Sequence, residues 1–350
     1  MGNISFKLSF RSWITLVTVI LLVVVIFFAW PEIVKAYHLL GSVNLAILAL
    51  LIPVQLFSYY GAGGMIFSYL RSKGDLQGVS RWRMTRIALE LNFVNHILPS
   101  GGAAGFSYLG WVLGKFGVKA SRSTVAQLIR FMLTFVAFVL ILVVAVVFLA
   151  ADGHINRLII LLSCLIVVVS ATAIFGGIFV IGNNRRLHFF SNWLTSFVNR
   201  IVRNITRGKK PEIVKVNIIP DFFAELHADY LSIRKDVRIL IKPFIWAIFI
   251  NLADVALIYI AFLSLGYDVS PAILFVAFGV SSLASAVSAT PGGAGVYEAI
   301  MIAFLASSNV PADVAIAGTL LARVTLVLGT ILFGYVFYQL TVLKYGKRTS

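Results

Sequence analysis

Thr290-Pro291-Gly292-Gly293-Ala294-Gly295-Val296-Tyr297-Glu298 places a proline, three glycines and a carboxylate inside about 38 mostly apolar residues, Pro271 to Ser308. A continuous helix is disfavoured there. Proline removes a backbone donor and clashes with the preceding turn, and each glycine costs about 1 kcal/mol of helix propensity relative to alanine. In hydrocarbon no water replaces the lost hydrogen bonds, so such a break is tolerated only where it is buried in protein or lines a wet cavity. A related break, Leu98-Pro99-Ser100-Gly101-Gly102-Ala103-Ala104-Gly105, occurs earlier in the chain.

Composition says what surrounds the two breaks. Of 350 residues, 60% are hydrophobic and 12% charged, too apolar for a water-soluble globule. Crossing a bilayer takes about 20 apolar residues, and six runs suffice: roughly 13–30, 43–70, 125–150, 158–182, 243–265 and 312–341. The broken segments, 84–115 and 271–308, are additional. Lys7 and Arg11 precede Trp13 to Trp30 in the manner of a signal peptide, but no small-residue cleavage site follows, so an uncleaved first span is expected. Cys164 lies within an apolar run, reads as core packing, and as the single cysteine excludes an intrachain disulfide.

Charge decides how the broken segments cross. The net charge of +16 is spread between apolar runs rather than gathered on a soluble face, so it reads as membrane topology and not as a nucleic-acid footprint. If each broken segment enters and leaves on one side, the N-terminus, 71–86, 115–124, 183–242 and the C-terminal tail share a side and hold 25 of the 29 Lys and Arg. Only Lys35 and Arg157 fall opposite. The positive-inside rule then places both termini in the cytoplasm of a multi-pass cell (inner, cytoplasmic) membrane protein. A single crossing by 84–115 would instead export the loop 183–242 with its 12 basic residues. The expected fold is therefore an all-α polytopic membrane protein of six transmembrane helices plus two re-entrant broken-helix hairpins.

One membrane domain, 1–350, divides into two halves of the same order: span, span, broken hairpin, span. The first, 13–150, starts in the cytoplasm and the second, 158–341, outside, which makes them inverted-topology repeats. Pro99 precedes Arg130 by 31 residues and Pro291 precedes Arg323 by 32, so each break is followed by a span with one arginine at matching distance. The cytoplasmic loop 183–242 carries two amphipathic stripes: Leu187, Phe190, Leu194, Phe197, Val198, Ile201 and Ile205, then Phe222, Leu226, Tyr230, Ile233, Val237 and Leu240. Pro220-Asp221 reads as the cap of the second. Both stripes suit either the inner-leaflet surface or packing against the bundle. Gly110, Gly114 and Gly117 suit helix packing, within the chain or in a homo-oligomer.

Ionisable groups inside spans are costly, hence paired or functional. The candidates are Glu90, Arg130, Asp254, Glu298 and Arg323, with Asn92, Asn95 and His96 on the half-helix of Glu90 and Asn251 one turn from Asp254. One reading makes structural ion pairs of them, Glu90 with Arg130 and Glu298 with Arg323. In the other, Arg130 and Arg323 hold a phosphate through the guanidinium fork, and the carboxylates hold the arginines when the site is empty. Half-helix N-termini at the breaks favour an anion, and transporters built from inverted repeats bind substrate near the midplane. The expected substrate-binding set adds Asn95, His96, Pro99, Gly101, Gly102, Pro291, Gly292, Gly293, Gly295 and Tyr297. No metal-ligand spacing and no nucleotide-binding motif occurs, so no cofactor and no catalytic residue is expected.

Ala88-Leu89-Glu90-Leu91-Asn92, Leu98-Pro99-Ser100-Gly101-Gly102 and Gln127-Leu128-Ile129-Arg130, with Ala289 to Glu298 and Leu321-Ala322-Arg323, resemble the flippase-like membrane domain family of lysylphosphatidylglycerol synthases. The resemblance covers nearly the whole chain. In the synthases this domain is joined to a soluble aminoacyl-transferase domain, for which these 350 residues hold no counterpart. The resemblance implies translocation of a lipid with an anionic headgroup: a phospholipid, an aminoacylated lipid or a polyprenyl-phosphate-linked lipid. The alternatives are an accessory subunit presenting a lipid to a lipid-synthesising or glycosyltransferase partner, and a membrane-embedded lipid-modifying enzyme.

Overall fold

The computed structural model describes residues 30, 34, 41, 43–97, 103–151, 157–183, 185–187, 189, 192–193, 196, 218–286 and 293–346. Their regular structure is helical throughout: α1 Leu45–Leu48, α2 Leu51–Ser72, α3 Arg81–Ile97, α4 Ala103–Gly114, α5 Ala120–Ala151, α6 Arg157–Ile181, α7 Ile218–Lys235, α8 Ile241–Ser264, α9 Pro271–Ala286, α10 Val296–Ser307 and α11 Ala312–Tyr345. A 3-10 turn, Val237–Leu240, leads into α8.

Five stretches are long and apolar enough to cross a membrane: Leu45–Ser72, Ala120–Ala151, Arg157–Ile181, Val237–Ser264 and Ala312–Tyr345. They coincide with five of the six expected spans, and the chain is a multi-pass membrane protein. The expected first span, 13–30, lies outside the described residues except for Trp30. Large apolar side chains such as Val144, Phe148, Leu161, Leu165 and Phe175 are exposed along α5 and α6, which hydrocarbon tolerates and water does not.

Each Gly/Pro-broken segment forms two half-length helices. At about 1.5 Å per residue, the 16 residues of α9 and the 12 of α10 span only part of a hydrocarbon core of about 30 Å. Asp75, ahead of α3, lies 3.3 Å from Arg122, just inside α5. The pair α3/α4 therefore starts and finishes at one end of the bundle. Leu149, Ile159, Val269, Leu305 and Val314 belong to one apolar cluster that also takes in Phe138 and Leu142 of α5.

Close helix crossings are made at glycines other than those expected. A methyl on Gly334 of α11 would lie 2.5 Å from Phe93 Cβ of α3, and one on Gly279 of α9 would lie 2.4 Å from the Phe138 ring of α5. Gly61 and Gly64 of α2 bring α8 close through Ile250 and Trp246. Among the described residues a methyl on Gly114 or Gly117 would meet nothing, and one on Gly110 only Ala120 at ordinary contact, so no close crossing between described helices is made at them. Gly117, at φ +82°, serves the turn after α4.

The basic loops converge at the end where α5 begins. Lys119 pairs with Glu225 at 3.1 Å, Arg122 reaches Asp229 as well as Asp75, Lys73 donates to Ser232, and Arg83 donates to the Tyr345 hydroxyl. Ser121 and Lys119 both donate to Glu225, which holds its carboxyl below the usual range. Helix α7 begins at Ile218 and runs through Pro220 and Asp221, so Asp221 is not its cap. A proline is tolerated in the first turn because its missing N–H has no intrahelical partner there. Leu226 of the second stripe and Leu187 of the first join the core, with Ile233 of the second packed against it, so these three residues pack against the bundle. Val237 and Leu240 fall beyond the end of α7 on the 3-10 turn. Most of the first stripe lies outside the described residues.

Candidate functional site

Three long helices carry polar side chains at mid-length. On α11, Thr319, Arg323 and Thr330 recur at helical spacing. On α2, Gln55, Ser58 and Tyr59 share one face, and on α8 Asp254 is almost central. Together with Asn92 and His96 near the end of α3, Ser282 and Ser285 at the end of α9, and Tyr297 at the start of α10, they line a cavity of about 310 Å³. The ends of both broken segments border this space.

Glu298 holds the second break in place. Gly295, at φ +83°, donates its N–H to Glu298 Oε2 at 2.6 Å, satisfying a donor at the start of α10. The other carboxylate oxygen accepts from Arg323 Nε at 2.8 Å. Glu298 is buried, and the Arg323 guanidinium carbon lies 4.7 Å from the centre of the Tyr297 ring. Carboxylate, backbone amide and ring therefore fix the arginine at the cavity wall. The sequence-expected pair Glu298–Arg323 is present.

The expected pair Glu90–Arg130 is not. Glu90 is 1% exposed and accepts from the Tyr108 hydroxyl at 2.5 Å and the Thr341 hydroxyl at 2.8 Å. It faces α4 and α11, on the side of α3 away from Asn92 and His96, and does not line the cavity. Arg130 rests over the Phe131 ring at 5.1 Å, and among the described residues its buried Nε has no hydrogen-bond partner. Its charge interacts with that of Asp254, without contact at ion-pair distance among the described residues.

Asp254 accepts from Ser58 Oγ at 3.1 Å. Asn251 ties α8 to α5, donating to the Ala247 carbonyl of its own helix and to the Thr134 carbonyl of α5. His96 Nδ1 lies 2.9 Å from the Asn92 carbonyl, which can only accept, so Nδ1 carries the hydrogen and Nε2 is left for the cavity. The Tyr59 hydroxyl meets Gln55, Asn92 and Thr330, joining α2, α3 and α11 across the space.

Two glycines let the broken segments fold back tightly. A methyl on Gly105 would lie 2.3 Å from Asn95 Oδ1, and one on Gly293 would lie 2.3 Å from Ser285 Cβ. Asn95 thus abuts α4 rather than the cavity, and its buried Oδ1 has no partner among the described residues. Of the other expected site residues, Pro99, Gly101, Gly102, Pro291 and Gly292 lie outside the described residues.

Gln55, Ser58, Tyr59, Ser282, Ser285, Thr319 and Thr330 are cavity residues that the search for charges passed over. Their signal was available as short polar residues repeating at three, four or seven positions along otherwise apolar helices.

The family model described as lysylphosphatidylglycerol synthase TM region matches residues 12–334 of the chain. A UPF0104 membrane protein of Methanothermobacter thermautotrophicus (strain Delta H) is 22% identical over 232 residues, which cover 66% of this chain and 67% of that protein.

Proposed function

We propose that this chain, which belongs to the lysylphosphatidylglycerol synthase TM region family, moves a lipid with an anionic headgroup between the two leaflets through its central cavity. The observation that carries the reading is the cavity itself: mid-length along α2, α8 and α11, bordered by both helix breaks and walled by Arg323, His96 and Asp254. At that depth each polar group is costly unless paired, and a cavity left open among paired polar side chains suits the polar group of a ligand. A phosphate would meet the positive charge of the Arg323 guanidinium and donors from the serine and threonine hydroxyls. The acyl chains would remain in the bilayer beside the exposed apolar faces.

Packing supports the inverted arrangement of two repeats. Helix α3 of the first broken pair packs on α11 and α9 of the second on α5, while α4 packs on α5 and α10 on α11. Each pair therefore leans on one long helix of each half. In this reading the pairs open toward opposite leaflets, so one would receive the headgroup from one leaflet and the other release it into the opposite one. The end where the basic loops converge is the cytoplasmic one in this reading, by the positive-inside rule.

Reconstitution tests it. In liposomes carrying phosphatidylglycerol labelled on an acyl chain at the headgroup end, the protein should raise the fraction of label reached by an external reductant above the outer-leaflet half. Label reached no faster than in protein-free liposomes would remove the translocation reading and leave the accessory-subunit one.

A further inference from the structure

A second cavity, of about 570 Å³, opens at the basic end between α2, the start of α3 and the start of α8. Arg71, Arg81, Arg238 and Lys242 line it, against the single carboxylate of Asp236, with the Trp246 ring at its inner end. We propose that this cavity is a binding site for an anion or lipid headgroup carrying two phosphates, separate from the central cavity.

Three observations carry the proposal. First, the cations are not neutralised. Elsewhere at this end Lys119 pairs with Glu225 and Arg122 with Asp75 and Asp229. Among the described residues none of the four lining cations has a carboxylate within ion-pair distance. Among the described residues Arg71 donates to the Val79 carbonyl and its buried Nε has no partner, and Arg81 meets the Tyr60 hydroxyl alone, at 3.4 Å. Asp236 is already used, accepting from the Arg238 backbone N–H. A sidedness signal requires that basic residues lie at this end; it does not require that unpaired ones share a cavity.

Second, two of the cations stand where helix electrostatics disfavour them. Arg81 opens α3 and Lys242 lies in the first turn of α8, and neither helix has an acidic residue in its first turn. A helix N-terminus carries partial positive charge and favours an anion. Two such ends with added cations conflict locally unless an anion sits between them.

Third, the cavity lies on the other face of α2 from the central one. Gln55, Ser58 and Tyr59 line the central cavity, whereas Tyr60, Gly64, Phe67 and Arg71 line this one. At 100° per residue those sets point in opposite directions. The basic cavity is thus not the mouth of the translocation site, and it stands or falls apart from that reading. A two-phosphate lipid headgroup and a free pyrophosphate present the same chemistry to it.

The test uses the purified full chain. Thermal unfolding in detergent is followed with inorganic pyrophosphate, with cardiolipin as a two-phosphate lipid, and with phosphatidylcholine as control. Pyrophosphate, cardiolipin or both should raise Tm, and which of the two does so identifies the source. The Arg238→Gln/Lys242→Gln variant replaces exposed residues and relieves a helix end, so its unliganded Tm should equal or exceed that of the parent. Its affinity should fall about tenfold or more, as expected for losing two charge-assisted contacts. Lys119→Gln, outside the cavity, should bind as the parent does. Absence of any Tm rise with both phosphates, or equal affinity in the double variant and the parent, would overturn the assignment.

Discussion

Arg323→Ala is expected to stop lipid translocation in reconstituted liposomes and to cost about 3–5 kcal/mol of stability, the range for removing one member of a buried ion pair. Both effects come from one contact. Glu298 is buried, with one oxygen on Arg323 Nε and the other on the Gly295 amide. Without the guanidinium, the carboxylate loses its counter-charge and the second break loses its tie to α11. A loss of activity in that variant alone would not distinguish a fallen hairpin from a lost headgroup contact. The Glu298→Gln/Arg323→Gln variant does. Two amides of similar shape can hydrogen-bond to each other and to Gly295, and removing both charges together avoids the stranded ion, so stability should lie within about 1–2 kcal/mol of the parent. Transport should remain at least about tenfold down, since no positive charge is left to meet a phosphate at the cavity wall. Full transport in the double variant would make Arg323 a purely structural residue.

Gly293→Ala should be the most damaging single methyl in the described part of the second break. The backbone there has φ +71°, and the added carbon would lie 2.3 Å from Ser285 Cβ at the end of α9. Left-handed backbone costs a non-glycine residue about 1–2 kcal/mol, and forcing a methyl into a packed contact costs typically about 1–3 kcal/mol more. The sum, about 2–5 kcal/mol, should appear as a fall in Tm in detergent. Adding Ser285→Gly should recover the steric part and leave the backbone part. Gly105→Ala meets Asn95 Oδ1 rather than a Cβ, and α4 has ordinary helical backbone there, so its cost should be smaller. A Gly293→Ala variant as stable as the parent would mean that α9 and α10 are not held together as described.

The architecture was legible because hydropathy and charge act over long stretches. Five of the expected spans, and the half-helices on either side of each break, lie where apolar runs and Gly/Pro clusters put them. The grouping of two loops was legible for the same reason: counting Lys and Arg put 71–86 and 115–124 together, and Asp75 meets Arg122 across them. Individual partners were another matter. Glu298–Arg323 could be inferred because a charged neighbour stood at the right place in the second half. The first half has Gly105 and Phe106 where a counterpart of Glu298 would fall, so symmetry misassigned Glu90 to Arg130. The partners of Glu90 are neutral hydroxyls, Tyr108 and Thr341, one of them 251 positions away in the chain. Neutral donors leave no charge pattern to count. The cavity wall escaped notice for a related reason: Gln55, Ser58, Tyr59 and Thr330 are uncharged, and only their shared helix faces mark them.

The central claim, that a headgroup passes through the cavity between α2, α8 and α11, is tested most directly by blocking it. Ser282→Cys, placed on that wall in a Cys164→Ser background, allows a bulky methanethiosulfonate to be attached at one site. Modification should stop phosphatidylglycerol translocation, and substrate lipid should slow the labelling. Complete modification with transport unchanged would contradict the account.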